Sequence, residues 1–147
     1  MKVFPDLVQN RRAIAWLLMM TALALHVFDE AFTDFLPFYN EQVARIKDNL
    51  PIFPMPLFSF EVWLSGLIGA IVVGFLLTFF VRRGGKIIRI VTIILGIIMI
   101  GNALGHMLGS LYTERLLPGF WSSPFLLVTA SIVVITGFRR TYWIAEN

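Results

Sequence analysis

The sequence predicts an all-α integral membrane protein, a four-helix bundle with a short amphipathic helix at the surface between its first two spans. Three observations carry that prediction. Of 147 residues, 58% are hydrophobic and 14% charged, with a mean hydropathy of +0.81. A water-soluble domain of this size cannot hide that apolar share, so lipid must solvate much of it. The apolar residues fall into four runs, at about 13–30, 57–81, 87–108 and 120–138. The basic residues collect between alternate runs, as charges that orient a membrane protein do. The whole chain, 1–147, reads as a single transmembrane domain.

The first run (AIAWLLMMTALALHVF) reaches the roughly 20 residues of a crossing helix only if the helix continues into Asp29 and Glu30. Those carboxylates then lie at the interface or inside the bundle. Basic residues before this run, and Ala22-Leu23-Ala24 within it, also fit a cleavable signal peptide. The polar cluster that follows at once favours a retained span. Residues 38–50 (FYNEQVARIKDNL) place Val43, Ile46 and Leu50 on one side of a helix and charges on the other, the pattern of a surface helix. Pro51, Pro54 and Pro56 break it before the second span. The second span carries Gly66, Ala70 and Gly74 on one face, and the third Gly101, Gly105 and Gly109. Small residues at that spacing predict tight helix packing.

Orientation follows from charge. Nine of twelve basic residues flank one side: Lys2, Arg11, Arg12, Arg82, Arg83, Lys86, Arg89, Arg139 and Arg140. Only Arg45, Lys47 and Arg115 fall on the other, so both termini are expected in the cytoplasm. No basic, aromatic-interleaved stretch points to nucleic acid. Cysteine is absent, which removes disulfides, thiolate metal sites and cysteine nucleophiles.

The polar residues inside the spans carry the functional reading. His26, Asp29 and Glu30 share a helix face, with Asp34 one turn beyond. Asn102 and His106 sit four apart near the outer end of the third span, Glu61 opens the second, and Glu114 lies in the outer loop. The topology brings these residues to comparable depth. Ionisable groups in spans are costly and face the interior, paired or functional. Imidazole with carboxylate is a ligand set for zinc, iron or manganese, and bundle metal sites draw such ligands from facing helices. His26, Asp29, Glu30 and His106 are therefore the expected ligands of a divalent metal ion. Asn102, Asp34 and Glu114 are expected as supporting polar groups.

Taken together, His26 to Glu30, the string Asn102-Ala103-Leu104-Gly105-His106, and Arg115-Leu116-Leu117-Pro118-Gly119 with Ser122 resemble the HXXEE domain family. Those are small, largely bacterial, multi-span membrane proteins, which implies the bacterial inner membrane. The resemblance implies that His26, Asp29, Glu30, Asn102 and His106 form a polar signature and that Pro118-Gly119 shapes the outer turn. Asp29 stands where the naming string has its first Glu, and Leu116 where an aromatic is expected before Pro-Gly.

The leading expectation is a membrane metalloprotein, a metal-dependent hydrolase-type enzyme acting on lipid or another apolar substrate from the outer leaflet. Asp29 or Glu61 would be a further ligand or general base, and the ion would lower the pKa of a bound water toward ~7. The alternative is a non-catalytic membrane subunit, or a small ion- or proton-coupled transporter using Glu30, Glu61 and the histidines. A chain this small would then act as a homo-oligomer or within a larger membrane complex.

Overall fold

In the computed structural model residues 3–138 are described, with side chains from residue 9 onward; Lys2, Arg139 and Arg140 lie outside the described residues. Among the described residues there are five helices and no strand. Helix α1 (Val3–Phe32) runs unbroken through Asp29 and Glu30, as a spanning helix here requires. It stops at Asp34, which takes the left-handed conformation (φ 59°) that aspartate tolerates better than most residues.

Helix α2 (Phe35–Asn49) starts three residues before the expected position. Pro37 falls in its first turn, where a missing N–H leaves no helical hydrogen bond unmade. Its buried apolar residues are Leu36 and Val43, whereas Ile46 and Leu50 are exposed, so the helix presses its first half onto the bundle. The proline-rich connector is held from α2. The Asn40 amide donates to the Phe58 carbonyl (2.9 Å) and accepts from the Phe58 N–H (3.2 Å), and the Tyr39 hydroxyl donates to the Pro56 carbonyl (3.0 Å).

Helix α3 (Phe60–Arg83) begins later than the apolar run because Phe58 is paired with Asn40 and Ser59 caps the first turn, accepting from the Val62 N–H. Gly84 (φ 77°) and Gly85 (φ 125°) make the turn into α4 (Lys86–Thr113), in backbone regions open chiefly to glycine. Helix α5 (Ser123–Phe138) carries Pro124 in its first turn.

Helix α1 is central. It packs on α3 and α5, α5 packs on α4, and α3 and α4 barely meet despite their short connection. The core joins Trp16, Met19, Met20 and Ala22 of α1 to Ala103 of α4 and Leu126, Ala130 and Val133 of α5. The Trp16 indole donates to the Gly74 carbonyl at 2.8 Å, tying α1 to α3. A Cβ on Gly74 would strike Met20 of α1, so this glycine is where the two helices approach.

The small-residue expectation is corrected in part. Gly66, Gly101 and Gly105 face open space, with nothing within 4 Å of where a Cβ would be. Close approach falls instead at Gly96, whose Cβ would lie 2.8 Å from Val134, and Gly137, 2.5 Å from Ile93. These two glycines are what bring α4 and α5 together. Four-residue spacing marks a face that can approach a partner, and the fold chose another face.

Among the described residues three helices are long and apolar enough to cross a membrane: Gln9–Phe32, Phe60–Arg83 and Lys86–Thr113. Half of the first one's apolar window is buried, against 11% and 17% for the other two, whose isoleucines, valines and leucines point outward. Exposed apolar area on that scale belongs in lipid. Helix α5 is apolar but has 16 residues, about 24 Å at 1.5 Å per residue.

Candidate metal centre

The site is built by the last turns of α1, the last turns of α4 and the loop between α4 and α5. On α1, His26, Asp29 and Glu30 recur at three- and four-residue spacing and share a face, with Thr33 just beyond the helix end. On α4, Ala103, His106 and Ser110 are buried together on the face toward α5. His26, Glu30 and His106 are 1%, 4% and 8% exposed, unusually low for ionisable side chains in any protein.

These three converge. Glu30 Oε1 lies 3.1 Å from His106 Nε2 and 3.5 Å from His26 Nε2. The two imidazole rings stand edge to face with centroids 4.9 Å apart. One ligand atom from each residue lies within 4.8 Å of the others.

The far nitrogens of both rings are already committed. His106 Nδ1 sits 2.5 Å from the Pro118 carbonyl, which can only accept, so Nδ1 carries the proton. Ser122 donates both its N–H (3.0 Å) and its hydroxyl (2.8 Å) to Asp29 Oδ2. With its proton on that carboxylate, the Ser122 oxygen accepts from His26 Nδ1 at 2.8 Å. The partners thus assign the same tautomer to both neutral rings, leaving each Nε2 as a bare lone pair aimed at Glu30. His26 Nε2 is buried without a hydrogen-bond partner, since 3.5 Å from Glu30 is too long for one. Two lone pairs and a carboxylate oxygen facing one another in a buried space call for a cation or a proton between them.

Gly119 closes the site from the loop side. Its φ of 80° favours glycine, and a Cβ there would lie 3.0 Å from His26 Cε1, 3.1 Å from Glu30 Cγ and 3.1 Å from His106 Cε1. Its N–H donates to Thr33 Oγ1 (3.3 Å) and its carbonyl accepts from Ser123 Oγ (2.7 Å), fixing the loop to α1 and α5. On the other side, a cavity of about 270 Å³ reaches Glu30, walled by Phe35, Leu36, Phe58, Phe60 and Trp63. The Phe35 ring also stacks near His106, with centroids 5.5 Å apart.

Of the residues singled out from sequence, His26, Glu30 and His106 are brought together. Asp29 lies beside them on Ser122, outside the three-atom group. Asn102 sits one turn before His106, its Oδ1 buried without a hydrogen-bond partner. Asp34 is exposed and lines the cavity. Glu61, on the first turn of α3, and Glu114, the left-handed cap of α4, are both exposed. Sequence reasoning missed the orienting roles of Ser122 and Pro118. Both lie in the Pro-Gly turn that it did single out, and their placement depends on how that loop folds back over α1.

Compared with known proteins, residues 16–134 match a family described as proteins of unknown function with an HXXEE motif. No curated protein and no solved structure matches the chain.

Proposed function

The chain belongs to the HXXEE family, and from the geometry of its buried cluster we propose that it is a membrane metalloprotein whose His26, Glu30 and His106 hold one divalent cation. The observation that carries this reading is the convergence of two bare imidazole lone pairs and a carboxylate oxygen, each ring held from behind. Metal-binding histidines characteristically donate their second N–H to a carbonyl, carboxylate or similar acceptor; here His106 donates to the Pro118 carbonyl and His26 to the Ser122 hydroxyl, which in turn donates to Asp29. The N···O separations of 3.1 and 3.5 Å bracket the edge of about 3.3 Å expected of a tetrahedral site with 2.0–2.1 Å bonds. Zinc, iron and manganese all accept this donor set.

In this reading Asp29 is a positioning residue, acting on His26 through Ser122, and Glu61 takes no part. The cavity at Glu30 gives a substrate its way to the cluster. A bound ion supplies Lewis acidity and an acidified water, which suits hydrolysis of lipid or another apolar substrate. We read α5 as a fourth span and, from the basic residues, both termini as cytoplasmic in a bacterial inner membrane. The site then opens at the outer leaflet.

One observation favours a second reading. A single proton shared between His106 Nε2 and Glu30 at 3.1 Å satisfies both groups without metal, as in a structural polar contact or a proton path. Metal analysis separates the two. Protein purified in detergent without chelator is expected to carry about one transition metal per chain. His26→Ala and His106→Ala are expected to lose the metal while keeping helical circular dichroism. Metal-free wild type that also fails to take up added zinc supports the proton-sharing reading instead.

A further inference from the structure

The cavity beside the cluster has a chemistry of its own. Four aromatic side chains, Phe35, Phe58, Phe60 and Trp63, line it, and Glu30 and Asp34 are its two charged groups. Among the described residues no Lys, Arg or His lines it. Trp63 stands between Phe35 and Phe60, with centroids 5.9 Å from each at interplanar angles of 33° and 42°. Tyr39 backs the cage, its ring centroid 6.0 Å from those of both Phe35 and Phe58. Aromatic rings with carboxylates among them are a surface that attracts a poorly hydrated cation.

From this wall we propose that the cavity recognises an organic ammonium group, of the kind carried by choline. The inference deepens the metalloprotein reading by naming its substrate class, and it rests on that reading only for the role of Glu30. At the mouth, the exposed Asp34 disfavours an anion. A bare acyl chain would leave Glu30, already 4% exposed, against hydrocarbon with no partner on that side. At about 270 Å³ the space is below that of drug-sized pockets, so it suits a headgroup and not a whole lipid. The exposed Asp34 offers the ammonium its counter-charge at the mouth.

The test is calorimetric titration of the full chain in maltoside detergent with choline and with its neutral isostere 3,3-dimethylbutan-1-ol. Metal content is measured on the same samples. Choline is expected to bind saturably and the isostere about tenfold more weakly or not at all. Asp34→Asn, an exposed position, is expected to weaken choline binding about fivefold with metal content unchanged, and Trp63→Leu to weaken it further. If Trp63→Leu does not fold, Phe35→Leu serves in its place. A short-chain phosphatidylcholine below its micellar concentration is titrated in competition. Displacement of choline identifies a lipid headgroup as the source, and choline binding without displacement identifies a small solute. Equal affinity for choline and isostere, no saturable choline binding, or an Asp34→Asn variant that binds as wild type overturns the proposal. Metal bound without choline binding leaves the metalloprotein reading standing, and choline bound without metal removes that reading alone.

Discussion

Two histidines at the ends of different helices, each with its Nδ1 spoken for, make the decisive contact at the scale of single residues. His26 and Glu30 were legible because four-residue spacing on a helix is fixed geometry. Their meeting with His106 was legible because the topology sets both helix ends at one depth. Ser122 and the Pro118 carbonyl were not, since a loop's backbone carbonyl leaves no residue-type signal. The charge logic gives a pH prediction. Imidazole nitrogens must be deprotonated to bind metal, so the ion competes with protons for its ligands. Any stability contributed by the ion is therefore lost as acid protonates its ligands. Zinc retention measured by equilibrium dialysis is expected to fall as pH is lowered. A flat profile would speak against imidazole ligation. Gly119 supplies a second prediction. Gly119→Ala strains a φ of 80° and places a methyl within 3.1 Å of all three cluster residues. It is expected to cost about 1–3 kcal/mol in thermal unfolding and to lower metal occupancy.

Among the elements, the amphipathic pattern of residues 38–50 correctly foretold α2, while the facing partners of the glycine stripes were not readable. In lipid a small residue permits close approach without specifying to whom. The structure places the contacts at Gly74, Gly96 and Gly137 and leaves Gly66, Gly101 and Gly105 open. A paired substitution tests that assignment. Gly96→Leu should destabilise the α4–α5 pair by about 1–3 kcal/mol, because Val134 and the Ala130 carbonyl occupy the space. Gly101→Leu should change unfolding little in the monomer. Equal losses in the two variants would mean that the α4 faces have been misassigned.

At the scale of the whole molecule, the acidic and basic ends of the bundle separate. Arg11, Arg12, Arg82, Arg83, Lys86 and Arg89 lie at the end opposite His26, Glu30 and His106. The class of fold was legible because composition alone demands a lipid solvent. The span count is less so, since α5 provides 16 described residues. With no native cysteine, single cysteines report topology cleanly. Ile52→Cys, at an 86% exposed position in the α2–α3 connector, is expected to react with an impermeant maleimide added outside intact cells. Lys86→Cys, in the α3–α4 turn, is expected to react only after permeabilisation. The reverse pattern would invert the molecule and turn the site toward the cytoplasm.

X-ray absorption on zinc-loaded protein reaches the central claim most directly. Two imidazole nitrogens and one carboxylate oxygen predict a first shell of nitrogen and oxygen at about 2.0–2.1 Å, with outer-shell imidazole scattering that fits two rings and is lost together with the metal in His106→Ala. A shell without imidazole scattering, or one unchanged by that substitution, would contradict a centre at His26, Glu30 and His106.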